Sequence, residues 1–411
     1  MLNAIDDDEE EFKKVKPRVL LISSFRWITV ARAAIAFHEA GFSVSTLVPK
    51  GHAVEKLSIA ASTHIFNIFS AEQSLIEAVS GSKPVLLVPF DDVVVPILHD
   101  VYHKRGADDK ISILIANSLG DPAFFPVVRS RKEFAKRLFA LSIASPPTLS
   151  VESTDDLMTA ARTLGLPTVL KSDGSWGGQG VAIVHEQTGL RDAFARLSSR
   201  HNVLRALKRF IINRDLTPFH TMLRRRAISI VAQQYLPGRP ANAAVACWKG
   251  EVLGSITLEV IQSAGETGPA TVVRHIDCPD MTNAIHRIVH DLQLSGICGV
   301  DFILSGPENK PLMIELNPRS VPTVHLSNSR GQRLCHLLFE KITGRVVSPS
   351  LHAPQYDSIA LFPQEMLRDP HSPHLINSFH DIPTHWPEYV ALATGETTPQ
   401  SYIQPDILRK I

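Results

Sequence analysis

Apolar residues follow two alternating rhythms along the first third of the chain. Short runs, Val19 to Ser23 and Phe42 to Val48, flank an Ala-rich amphipathic stretch from Ile28 to Ala40 that closes at Gly41. Runs of that length fit buried strands, and apolar positions three and four apart line one helix face, so the segment is a strand, helix, strand unit. The alternation continues through Thr63 to Ile68, Ala71 to Val79, Pro84 to Phe90, Val93 to Lys104 and Ile111 to Ala116. It predicts an open parallel sheet with helices on both faces. The first turn, Ser23-Ser24-Phe25-Arg26-Trp27, lacks the GxGxxG that lets backbone approach a pyrophosphate, which excludes a dinucleotide site there.

A second pattern starts near Arg131. A helix over Lys132 to Ser142 leads to Pro146-Pro147, a link between domains, and Ser153 and Asp156 have capping-box spacing ahead of a helix from Leu157 to Leu164. Strands follow at Pro167 to Lys171 and Val181 to His185, then a hairpin over Asn242 to Ile261 turning at Lys249-Gly250. A further strand spans Thr271 to Ile276, then a helix Met281 to Leu294 and two strands, Ile297 to Leu304 and Pro311 to Leu316. This half mixes hairpins and helices, so the fold class is α/β followed by α+β. The last 75 or so residues are rich in Pro and His and show no strong period.

Composition narrows the picture. With 411 residues, 44% hydrophobic, the chain suits two or three domains at about 150 residues each and is not globally disordered. Lys plus Arg number 42 against 41 Asp plus Glu, a net charge of +1, which argues against a dedicated nucleic-acid binder. No apolar run reaches the roughly 18 residues of a membrane helix, and the best, Pro84 to Leu98, is broken by Asp91 and Asp92. Six consecutive acids, Asp6 to Glu11, stand where a secretory signal carries positive charge, so the chain is read as soluble and cytoplasmic, and residues 1–16 as a disordered acidic tail. Cys247, Cys278, Cys298 and Cys335 lack zinc spacing and read as free thiols.

Two segments carry chemistry. In Lys171-Ser172-Asp173-Gly174-Ser175-Trp176-Gly177-Gly178-Gln179-Gly180-Val181, a strand ending in lysine enters a glycine-rich hairpin. Its backbone can bend over phosphates and donate N–H groups while the lysine supplies charge; a plain turn is the bland alternative. In Gly299-Val300-Asp301-Phe302 and Ile314-Glu315-Leu316-Asn317-Pro318-Arg319, period-two alternation puts Glu315 and Asn317 on one face, with Asp301 facing them from a neighbouring strand. Two carboxylates and an amide oxygen form the hard-oxygen shell that Mg²⁺ shares with nucleotide phosphates. Arg319 falls on the same side.

These segments, together with the hinge Gln233-Gln234-Tyr235-Leu236-Pro237-Gly238, resemble the ATP-grasp superfamily, and most closely the branch of carbamoyl phosphate synthetase and biotin carboxylase. The resemblance spans roughly residues 18 to 330. It implies a Rossmann-like pre-ATP-grasp domain (17–127) that helps form the acceptor pocket, a two-lobed ATP-grasp domain (128–335, lid lobe about 145–235) and a C-terminal extension (336–411). By the same resemblance Lys132 and Lys171 hold ATP phosphates, and Gly177, Gly178 and Gly180 form the lid loop. Gln234 and Leu236 meet the adenine, Asp301, Glu315 and Asn317 bind two Mg²⁺ or Mn²⁺ ions, and Arg319 sits beside the transferred phosphoryl group.

Two residues depart from the family pattern. Gln233 replaces the usual hinge glutamate, leaving ribose contacts to Gln233 or Asn242, and Asp301 is one methylene shorter than the common Glu or Gln. The activity implied is a ligase that activates a carboxylate as an acyl phosphate and passes it to an amine, with ATP and small molecules as partners, no nucleic acid or membrane, and a homodimer compatible with the reading. The alternatives are bicarbonate activation, of the carbamoyl phosphate synthetase or carboxylase type, and a non-catalytic ATP-binding regulator.

Three weaker features complete the inventory. Arg274, on the strand Thr271 to Ile276, is a candidate for a substrate carboxylate, placed facing the acid pair. The basic stretch Arg205, Lys208, Arg209, Arg214, Arg224, Arg225 and Arg226 reads as a solvated insertion rather than an anion-landing surface. His371, His374, His380 and His385 lack metal spacing and read as surface histidines.

Overall fold

Four short strands open the chain: β1 (Arg18–Ile22), β2 (Ser43–Val48), β3 (Ala60–Ile65) and β4 (Leu86–Pro89), all parallel in the order β3-β2-β1-β4. The computed structural model describes residues 16–174, 180–198, 229–266, 268–346 and 357–395. Alternate residues of the strands face opposite layers. Val19, Leu21, Val44 and Val88 pack on helix α1 (Ile28–Glu39), while Leu20, Ile22, Leu47 and Leu87 pack beneath α2 (Ala71–Ser82), α3 (Val94–Arg105) and α4 (Lys110–Leu119).

Helix α4 corrects the last step of the expected alternation, because the apolar run Ile111 to Ala116 is not a strand. Asp109 accepts bonds from the Ile111 and Ser112 amides, and the buried positions Ile111, Ser112, Ile115 and Ser118 have helical spacing. A run of six apolar residues is compatible with either state, and the cap decides it.

After α5 (Phe125–Val128) and α6 (Arg131–Ala140) comes an antiparallel sheet of β5 (Thr148–Val151), β6 (Thr168–Ser172), β7 (Val181–Val184) and β8 (Ile230–Gln234), in the order β5-β8-β6-β7. Helices α7 (Thr154–Leu164) and α8 (Leu190–Ser198) cover it. The expected capping box is present at the start of α7: Ser153 Oγ accepts from the Asp156 amide, and the Asp156 carboxylate from that of Ser153.

The largest sheet combines β9 (Gly238–Trp248), β10 (Glu251–Ser263), β11 (Ala270–His275), β12 (Gly296–Ser305), β13 (Lys310–Asn317), β14 (Ile359–Ala360) and β15 (Phe379–His380), ordered β13-β12-β9-β10-β11-β14-β15. Lys249 and Gly250 turn the β9–β10 hairpin with φ of 48° and 80°, as a two-residue hairpin needs. One face, with Ala243, Val245, Val300 and Phe302, packs on helix α9 (Pro279–Asp291). The other, with Ala244, Ala246, Ile256 and Leu258, packs on α1 and on α10 (Leu334–Thr343), so α1 is sandwiched between two sheets.

Residues 357–395, which show little periodicity, complete this architecture. Strands β14 and β15 extend the large sheet, and Tyr389 and Val390 join its core with α1. His380 is correspondingly buried rather than at the surface, and burial pushes its imidazole down to about 4. Among the described residues no helix is long and apolar enough to cross a membrane, and all four cysteines are free thiols.

Candidate active site

Register builds the centre of the site. Glu315 pairs with Asp301, Asp301 with Asn242, and Asn242 with Leu258, a single row across β13, β12, β9 and β10. Directly opposed residues share a face, so the two carboxylates and the Asn242 amide point the same way. Asn317, two residues beyond Glu315, donates through Nδ2 to Asp301 Oδ2 at 2.9 Å. Gly299 makes this possible: a Cβ there would lie 2.3 Å from Val321 Cγ1 and 3.5 Å from the Asn317 Cβ.

Three cations converge on this row from three elements. Arg131, in the first turn of α6, reaches Glu315 Oε1 at 2.5 Å and the Ser172 carbonyl at 2.7 Å, and its backbone amide donates to Asp173. Lys171, at the end of β6, is buried and lies 3.5 Å from the Ile314 carbonyl; burial lowers its ammonium, while Glu315 and Asp301 pull the other way. Arg319 donates through Nη2 to Asn317 Oδ1 at 3.2 Å and through Nε to Asp92 Oδ2 at 2.9 Å. Burial opposes the charge on Arg319, but Asp92, Asp301 and Glu315 outweigh it.

Lys132, expected on the phosphates, instead pairs with Glu152 at 3.1 Å on the outer side of α6. One residue along a helix turns the side chain by about 100°, and that step exchanges Lys132 for Arg131. Arg274 is also not at the acid pair. It pairs with Glu259, Glu259 with Ala241, and Ala241 with Phe302, which is the opposite face of the sheet from Asp301. There its guanidinium meets Glu259 at 2.6 Å.

The hinge residues have defined positions. Gln233 is buried and donates to Thr148 Oγ1 at 3.1 Å. The Gln234 N–H is taken by the Pro147 carbonyl, whereas the Leu236 N–H has no backbone partner among the described residues. The Gly180 carbonyl accepts from the Ser172 amide at 2.9 Å, closing the base of the glycine loop. Gly177, Gly178 and the basic stretch from Arg205 to Arg226 lie outside the described residues.

The donor set fits a hard divalent cation. Asp301 is held up to about 6, first by burial and then by Glu315 beside it, against the pull of Asn317, Arg319 and Lys171. Asn242 Oδ1, in the same row, is buried with no hydrogen-bond partner among the described residues. The described residues contain no group of three His, Cys, Asp or Glu able to hold a metal, so the set is two carboxylates completed by amide oxygens. Arg131 and Asp92 were not singled out from the sequence as site residues. The only signal for Asp92 was its place, with Asp91, as the charged break in an apolar run.

A small antiparallel sheet carrying lysine over a larger sheet carrying the acid row is the arrangement of the ATP-grasp fold. Residues 130–329 match the family described as carbamoyl-phosphate synthase L chain, ATP binding domain. The carbamoyl phosphate synthase large chain of Pyrococcus furiosus is 24% identical over 216 residues, 51% of this chain and 18% of that protein. That of Saccharolobus solfataricus is 22% identical over 272 residues, 61% and 24% respectively. The chain thus spans about a fifth to a quarter of the length of these relatives.

Among solved structures, N5-carboxyaminoimidazole synthetase from Staphylococcus aureus, complexed with ADP, superposes with a TM-score of 0.60 at 15% identity, covering 83% of this chain and 81% of that one. The biotin carboxylase domain of Hydrogenobacter thermophilus 2-oxoglutarate carboxylase, in complex with MgADP, ADP and bicarbonate, gives 0.57 at 12%, covering 81% and 71%. Residues 130–329 are thus similar to the ATP binding domain of the carbamoyl-phosphate synthase large chain, and the chain shares the ATP-grasp fold of these solved structures.

Proposed function

We propose that the chain is an ATP- and Mg²⁺-dependent ligase that activates a carboxylate as an acyl phosphate and transfers it to an amine, releasing ADP and phosphate. The observation that carries this is the convergence of Lys171, Arg131 and Arg319 on the Asp301, Glu315 and Asn317 set, between the small and large sheets. Lys171 and Arg131 neutralise the phosphates. The Leu236 N–H, which has no backbone partner among the described residues, suits the adenine edge. The Gln233 amide is engaged by Thr148, whereas the Asn242 oxygen has no partner among the described residues.

Asp301, Glu315 and Asn317, with Asn242 beside them, would hold two Mg²⁺ ions. Ions held by these residues would supply Lewis-acid neutralisation of the phosphate charge. Arg319 orients and neutralises the group being transferred. Excluding water from this site protects the acyl phosphate until the amine arrives.

The match of residues 130–329 to the carbamoyl-phosphate synthase domain favours bicarbonate as one candidate for the carboxylate. Both readings are tested by ADP release with Mg·ATP, methylamine or ammonium, and a panel of acetate, bicarbonate and the common amino acids. Turnover that needs bicarbonate selects the second reading, turnover that needs another acid selects the first, and no carboxylate-dependent ADP release contradicts both.

A further inference from the structure

In the parallel sheet the chain leaves β1 toward β2 on one side, while β4 lies on the other. The crevice beyond the carboxyl ends of β1 and β4 is therefore the switch point of the sheet, where such folds receive ligands. It is built from Ser23-Ser24 after β1 and Asp91-Asp92 after β4, and it abuts the site directly, since the Ser320 amide donates to the Pro89 carbonyl at 2.8 Å.

The two acids of this crevice do different work. Asp91 is fully buried and accepts from Ser23 Oγ, the Ser24 amide and Oγ, and the Val93 and Val94 amides, at 2.7 to 3.1 Å. Its capacity is filled by holding the loop after β1 to the start of α3. Asp92 is partly exposed, and its Oδ2 meets Arg319 Nε at 2.9 Å while its Oδ1 has no partner among the described residues. With Oδ1 still open, Asp92 can receive a further positively charged group beside Arg319. Arg26, in the loop after β1, is turned to the Lys50 carbonyl.

We propose that Asp92 is a catalytic residue for the acceptor half of the reaction: it holds the protonated amine of the acceptor beside Arg319 and takes its proton. This rests on the ligase reading above. The ammonium gives one proton to the Asp92 carboxylate, and the nitrogen lone pair attacks the acyl carbon. The C–N bond forms, the bond from carbon to the phosphate oxygen breaks, and the second proton leaves with the departing phosphate. Arg319, released by Asp92 as the ammonium arrives, stays with the phosphoryl group.

The test compares wild type with Asp92→Asn in ADP release, with the carboxylate panel and two nucleophiles. Methylamine is almost wholly protonated at neutral pH and needs a base; hydroxylamine is mostly uncharged there and needs none. Asp92→Asn should lose about 100-fold or more with methylamine and about tenfold or less with hydroxylamine, which also shows that the variant is folded. Equal loss with both nucleophiles, or no loss with either, would overturn the role of Asp92 while leaving the ligase reading intact. Wild-type protein that releases no ADP with any carboxylate would overturn the ligase reading and this inference with it.

Discussion

Arg131 and Lys132 stand side by side at the start of α6, and only the first enters the site. Replacing one group that stabilises transferring charge typically costs about 10²- to 10³-fold in turnover. Arg131→Ala should therefore lower ADP release by about 100-fold, while Lys132→Ala, which removes only an exposed ion pair, should change it by about twofold or less; steady-state rates on the two variants check this. Lys171 and the acid row were legible because each belongs to a strand whose period of two leaves no choice of face. The helical neighbour was not, because one residue of phase is 100° and composition does not set the phase. Arg274 shows the same limit in a sheet. The register between β10 and β11 shifts between Val260 and Gln262, and no count along the sequence reveals where such a bulge falls. Asp92 reaches Arg319 from 227 positions away, a contact that exists only once two sheets are packed.

At the scale of elements, the end of β12 and the segment after β13 are fitted through Gly299. An added methyl at 2.3 Å from Val321 has no room, and a β-branched side chain cannot rotate away at little cost. Gly299→Ala should destabilise the fold by about 1 to 3 kcal/mol and shift Asn317 and Arg319, so thermal unfolding and ADP release should both fall. Elements with their own punctuation, such as α7 with its capping box and the hairpin at Lys249-Gly250, were readable from sequence. The two-residue strands β14 and β15 were not, since two residues are too few to show a period.

Over the whole molecule, the C-terminal segment locks the α1 layer to the large sheet. Asp381 pairs with Arg32 of α1 at 2.8 Å and with His325, beyond the site, at 2.5 Å. Burial alone would raise its carboxyl, but His325 and Arg32 outweigh that and hold it at about 2. Three histidines, His52, His99 and His380, are buried neutral, with burial pushing them down to about 4, 3 and 4 from an ordinary 6.5. In each the unfolded chain takes up a proton before the folded one, so stability rises with pH through the window between the two values. On acidification stability should decline from about pH 6.5 to 4, and Asp381 should add a further loss as pH falls from about 4 to 2. Denaturant midpoints across pH 7 to 3 check the first window, and the decline should become shallower in His99→Phe. A net charge of +1 hides this arrangement, because a sum does not show which charges are buried and paired.

On the proposed function, the row of Asp301 and Glu315, with its three cations, drives phosphoryl transfer from ATP to a carboxylate. The most direct measurement is ADP release by the full chain with Mg·ATP and the carboxylate and amine panel, wild type against the double variant Asp301→Asn with Glu315→Gln. ADP production should require both carboxylate and amine in the wild type and fall to background in the double variant if the proposed function holds. Steady ADP production that is the same in both proteins would contradict it.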